Sequence, residues 1–134
     1  MTSRQLAQWC AWFADNRKAE NIVILDVSKL SSVTDFFVIA SGSSEPHLRA
    51  IRDEITDALR KDFGLRPNGV DGSTQTAWLA LDYFDVIVHV MKPEARELYD
   101  LEGLWRDAPR VKPRKPVAAK RASAATDSEA GDEE

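Results

Sequence analysis

The residues able to do chemistry are few, and their spacing restricts what they can do. Ser41-Gly42-Ser43-Ser44 follows an apolar run and leads into a helical pattern, an arrangement in which a Gly-Ser turn can hold phosphate. Nucleotidyl transfer on such a turn needs two closely spaced carboxylates just beyond it and a third on a later strand, to hold Mg²⁺. Here the next acids are Glu45 at the helix entry and Asp53-Glu54 inside the helix. Adjacent helical residues diverge by about 100°, so they cannot share a metal as alternate strand residues can. Asp82 and Asp85 come later, without such partners. There is no Walker loop and no G-x-G-x-x-G. His47, His89 and Cys10 are too scattered for a zinc site, and a thiol dyad of Cys10 with either histidine has no support. The expectation is a protein that is not an enzyme and needs no cofactor or metal.

What remains is binding, and the segment from Trp78 to Trp105 is the richest candidate. It reads W-L-A-L-D-Y-F-D-V-I-V-H-V-M, then K-P-E-A-R-E-L-Y-D-L-E-G-L-W. Two alternating apolar runs flank Asp82-Tyr83-Phe84-Asp85, which predicts a β-hairpin, and Pro93 can open a helix after it. With Tyr83-Phe84 as a two-residue loop, Asp82 faces Asp85, Leu81 faces Val86, and Trp78 faces His89. One face is then Leu79, Leu81, Val86, Val88 and Val90, all core. The other is Trp78, Ala80, Ile87, His89 and Met91, ending in the two aspartates. Like charges directly opposite one another destabilise a sheet. They are kept either for a basic partner or because both merely flank an exposed turn. The large, amphipathic Trp78 is the better anchor; a lone strand histidine such as His89 is more often a satisfied structural residue than a ligand.

These residues need a frame, and the rest of the chain supplies one. Leu6, Trp9 and Phe13 recur at helical spacing, with Trp12 off that stripe, half-buried at its shoulder or kept for self-association. Ile22 to Val27 and Phe36 to Ala40 read as strands. No helix fits between them, so they are expected as antiparallel neighbours. Ser43 or Ser44 can cap the next helix, with Pro46 in its first turn, Leu48, Ile51, Ile55 and Leu59 inward, and Gly64 ending it. The link from Leu65 to Thr76 has room for one short edge strand.

With 134 residues, 43% apolar and 30% charged, the chain is expected to be one soluble domain. A net charge of −4 argues against a generic nucleic-acid binder and favours a basic protein partner, with RNA contact at most peripheral. One cysteine permits no internal disulfide and fits a reducing cytoplasm; Cys10 itself reads as a buried thiol. The run around it is too short to span a membrane and lacks a signal-peptide layout. Residues 1–111 form the expected domain. Residues 112–134 are low-complexity, basic first and acidic last, and read as a disordered tail: either a solubilising one, or one whose Lys112 to Arg121 half adds weak contacts to RNA.

D-V-S-K-L-S-S-V-T-D-F-F-V-I-A-S-G-S-S-E-P-H-L-R-A-I at Asp26 to Ile51, and G-S-T-Q-T-A-W-L-A-L-D-Y-F-D-V-I-V-H-V-M-K-P-E-A-R-E-L-Y-D-L-E-G-L-W at Gly72 to Trp105, resemble the ribosomal silencing factor family, also called Iojap-like. Matching positions include Ser31, Ser32, Thr34, Asp35, Gly42, Ser44, His47, Trp78, Asp82, Asp85, His89, Arg96, Tyr99, Leu101, Glu102 and Trp105. The resemblance implies a single α/β domain, a mixed β-sheet flanked by helices, similar to nucleotidyltransferases but without their catalytic site. It implies a cytoplasmic repressor that binds the large ribosomal subunit through its L-fourteen-type protein and blocks joining with the small subunit when nutrients are scarce. Homodimers occur in the family. A large-subunit assembly factor is the alternative, and a nucleotidyltransferase a more distant one. Trp78, Asp82, Tyr83 and Asp85 are the leading contact candidates, with His89 and Tyr99 in support. Three positions depart from the family. Phe84 stands where glycine is usual, and phenylalanine resists the positive φ of a tight turn. Asp71 replaces a common glutamate. Gly103 replaces a common basic residue and weakens the last helix.

Overall fold

The computed structural model describes residues 1–116. Ten principal elements follow in chain order: α1 (Ser3–Asn16), β1 (Glu20–Asp26), β2 (Phe36–Ser41), α2 (Glu45–Phe63), β3 (Gly69–Ser73), β4 (Trp78–Asp82), β5 (Val86–Met91), α3 (Pro93–Tyr99), α4 (Leu101–Leu104) and β6 (Arg110–Val111). The six strands form one sheet in the order β3-β4-β5-β2-β1-β6. β2 and β5 run parallel, and every other pair is antiparallel. This is the expected mixed sheet flanked by helices, with β1 and β2 as antiparallel neighbours and β3 as the short edge strand.

Strand alternation divides the apolar residues between two layers. Leu79, Leu81, Val86, Val88 and Val90 face α1 and α2, joined there by Val38 and Ala40 of β2. The helices meet them with the predicted stripes: Leu6, Trp9 and Phe13 on α1, and Leu48, Ile51, Ile55 and Leu59 on α2, all buried. Trp9 stacks on Phe13 with centroids 5.5 Å apart and meets Phe63 at 5.6 Å. Cys10 is fully buried among them, and burial pushes its thiol well above the usual range. α2 begins where Ser44 Oγ accepts from His47 N at 3.2 Å, and Gly64 ends it at φ +68°. Gly42 permits the tight entry to α2, since a Cβ there would come within 2.8 Å of Leu48 Cδ2.

The other face of the sheet is not free, contrary to the sequence expectation. Leu25, Val27, Ile39 and Met91 pack there against Ala95 of α3 and Ala108, with Phe37, Trp78, Leu101 and Trp105 around them. The last helix is in fact two, because Asp100 takes a left-handed φ of +45° between α3 and α4. Its carboxylate then accepts from Gly103 N at 3.1 Å and caps α4. A side chain at position 103 would collide with that carboxylate, so glycine is what lets the new helix start here. Arg96 fastens the layer down. Its guanidinium donates to Glu102 Oε1 and to Ser41 Oγ, both at 2.9 Å.

The chain does not leave the domain at Val111. Lys112 carbonyl accepts from Gln8 Nε2 at 3.4 Å, and the Lys115 ammonium lies over the rings of Trp9 and half-buried Trp12, at 5.9 and 5.4 Å. Pro116 is buried. The remainder of the segment read as a disordered tail, 117–134, lies outside the described residues.

Candidate partner-binding surface

The hairpin carrying most of the candidate residues turns one position later than predicted. Tyr83 N donates to Val86 O at 2.8 Å, so Phe84 and Asp85 form the turn. Phe84 holds the left-handed conformation, φ +68°, that glycine would supply freely. Two bonds hold it there: Phe84 N donates to Asp82 Oδ1 at 2.8 Å, and Asp85 N to Tyr83 O at 2.8 Å. The register is therefore Trp78 with Met91, Ala80 with His89, Leu81 with Val88, and Asp82 with Ile87. Asp82 does not oppose Asp85, and the repulsion argument built on that pairing falls away.

The corrected register relocates one of the six candidates, and the layer over the second face covers another. Tyr83 becomes the next inward residue after Leu79 and Leu81, buried at 6% exposure, its hydroxyl without a hydrogen-bond partner. Burial raises its phenol above the ordinary range, with Cys10 a lesser contribution. His89 is also buried, at 8%, under the α3–α4 layer. Both residues are placed to support a surface rather than to form one.

Trp78, His89 and Tyr99 come together. Trp78 Nε1 donates to His89 Nδ1 at 3.0 Å. The Tyr99 ring lies 4.7 Å from the Trp78 ring, and Phe37 meets the His89 ring edge-on at 5.0 Å. Because Nδ1 accepts, the neutral ring carries its proton on Nε2, which is buried and has no partner. Loss of hydration lowers the imidazole pKa to about 4, so the ring is neutral near pH 7. Trp78 is half-buried and Tyr99 is 55% exposed, and two leucines beyond them, Leu98 and Leu104, are exposed at 76% and 74%. Sequence reading passed over these leucines. The signal was present in E-L-Y-D-L-E-G-L-W, which has more large apolar residues than one face of a short helix can bury.

Asp82 and Asp85 lie elsewhere, at the hairpin tip. Asp82 is four residue steps along β4 from Trp78, roughly 13 Å. Asp82 holds the turn, whereas Asp85 is exposed and its carbonyl accepts from Asp35 N and Phe36 N, both at 3.0 Å. Among the described residues no three His, Cys, Asp or Glu side chains are grouped as metal ligands would be. No described helix is long and apolar enough to cross a membrane.

A family model described as "Ribosomal silencing factor during starvation" matches residues 1–134. The chain belongs to the ribosomal silencing factor family. A ribosomal silencing factor from Halalkalibacterium halodurans is 36% identical over 111 residues, covering 83% of this chain and 94% of its own. A mouse relative named "Mitochondrial assembly of ribosomal large subunit protein 1" is 34% identical over 90 residues, 65% of this chain and 39% of that protein. A crystal structure of a Chromobacterium violaceum protein superimposes with a TM-score of 0.75 at 31% identity, covering 79% of this chain and 88% of that one. For a ribosomal silencing factor, the Trp78–Tyr99 surface and the Asp85 tip are the parts of the predicted set that remain open to a partner.

Proposed function

We propose that this chain regulates translation in the cytoplasm by binding the large ribosomal subunit through its L-fourteen-type protein and excluding the small subunit sterically. The family match along the whole chain carries this reading. The surface supports it: Trp78 with the Tyr99 ring tilted against it at 4.7 Å gives an apolar anchor of the kind that dominates protein interfaces, and Leu98 and Leu104 of the same two helices are exposed as well. Asp85 at the hairpin tip adds a charge suited to a basic partner. Steric exclusion requires no bond making, so no residue of the chain needs a catalytic role.

Sucrose-gradient sedimentation of purified subunits tests the reading. Added protein should travel with the large subunit and reduce the fraction of joined ribosomes. Unchanged joining at saturating protein would overturn it. The mouse relative's name favours a second reading, in which the same contact serves large-subunit assembly. Accumulation of immature large subunits in cells lacking the protein, with normal joining of mature ones, would select it.

A further inference from the structure

An open groove of about 410 Å³ lies where the start of α1 meets β6 and the segment after it. Four cationic residues line it: Arg4, Arg110, Lys112 and Arg114, all exposed, with no carboxylate in the lining. Two of them are only loosely neutralised. Arg4 reaches Asp26 at 3.6 Å and Arg110 reaches Glu102 at 3.8 Å, both with most of the arginine side chain in solvent. Lys112 and Arg114 have no acidic partner among the described residues. Such a concentration of positive charge is local, because the whole chain carries −4.

The groove is held in shape by the segment's attachment to α1. The Gln8 bond to Lys112 and the seat of Lys115 over Trp9 and Trp12 press residues 112–116 along the helix. The lining between the cations is polar, with Thr2, Gln5 and Gln8. Val111 is the one aliphatic residue in it, and it is buried. A protein partner would find no aromatic or aliphatic anchor here. Arginine, lysine, glutamine and threonine side chains beside a helix start are instead the groups that contact phosphate oxygens.

We infer that this groove is a second binding surface, which takes the phosphate backbone of an RNA strand without reading its sequence. It lies four strands from β4, roughly 19 Å across the sheet, so an RNA there and a protein on the Trp78 surface can be held together. Two such contacts on one large target strengthen each other through effective concentration. The inference goes beyond the protein contact proposed above and does not depend on it.

The test uses the full chain and a fluorescein-labelled single-stranded RNA of arbitrary sequence, followed by anisotropy as salt is varied. Arg110→Gln with Arg114→Gln should weaken binding at low salt tenfold or more. It should also flatten the log–log salt dependence by about 1.4, at about 0.7 per lost phosphate contact on a single strand. The corresponding Lys double variant should retain binding. Arg49→Gln with Lys61→Gln, on the exposed face of α2, should leave it unchanged, and melting temperatures report that each variant is folded. Equal loss in the α2 variant would overturn the site in favour of bulk charge. Polyglutamate competing as well as unlabelled RNA would overturn the assignment to RNA in favour of an acidic protein. In the Arg110→Gln with Arg114→Gln variant, sedimentation on large subunits should weaken but persist, because the Trp78 surface is intact; undiminished sedimentation would overturn the groove's contribution to that target.

Discussion

The indole N–H of Trp78 and Nδ1 of His89 form a hydrogen bond of 3.0 Å across β4 and β5, diagonally rather than between directly paired residues. It makes the half-exposed tryptophan dependent on a buried histidine that must stay neutral. Protonation would turn both ring nitrogens into donors and remove the acceptor that Trp78 uses.

A pH dependence of stability follows from this bond. The folded pKa of His89, about 4, is depressed from 6.5, so below pH 6.5 the unfolded chain binds a proton that the fold refuses. Stability from this group is complete above pH 6.5, falls as the pH is lowered, and levels off below about 4. The span is roughly 3 kcal/mol. Urea unfolding from pH 7 to pH 4 should show the decline, and His89→Asn should flatten it. Asp26 acts in a lower window. The Ser28 hydroxyl bonded to its carboxylate holds the pKa below 3.8, so that contribution is lost only in stronger acid.

Trp78→Phe should cost about 1–3 kcal/mol of stability, because it leaves the Nδ1 acceptor of His89 buried without a donor. Denaturant midpoints of the two proteins check this. A cost near zero would mean that the bond contributes nothing net.

Tyr99→Ala removes a largely exposed ring, so the fold should lose little while large-subunit binding weakens by about 1 kcal/mol or more. Leu81→Ala should reverse the pattern, costing about 2–5 kcal/mol of stability, because its site is fully buried. Sedimentation and thermal melts on both variants distinguish the two faces of the hairpin.

The boundary of the domain can be placed by truncation. A chain ending at Pro116 should melt like the full protein. One ending at Val111 loses the Gln8 bond, the Lys115 contact with Trp9 and Trp12, and buried Pro116, and should melt several degrees lower. Equal melting of the two would show that these contacts add no stability.

ATP with Mg²⁺ should leave the melting temperature unchanged, since Glu45 and Asp53-Glu54 lack the strand spacing for a two-metal site. A ligand-dependent rise, as when a ligand binds only the folded state, would reopen nucleotide binding.

The amino-acid sequence determined which hairpin residues share a face, even though the turn lies one residue later than its composition suggested. Moving the turn by one residue moves every cross-strand partner by two, and side-chain direction has period two, so Leu79, Leu81, Val86, Val88 and Val90 stay together. The helical stripes of α1 and α2 were legible for the same kind of reason: periodicity is local and burial follows it. What lies over the second face was not local. Only the tertiary structure brought α3 and α4 across β5, where they bury His89 and leave Trp78 half-covered beneath Tyr99. Phe84 holds its strained turn with bonds donated by Phe84 N to Asp82 and by Asp85 N to Tyr83, and that placement turned Tyr83 inward. The cationic groove likewise joins residues more than a hundred positions apart, which no spacing rule connects.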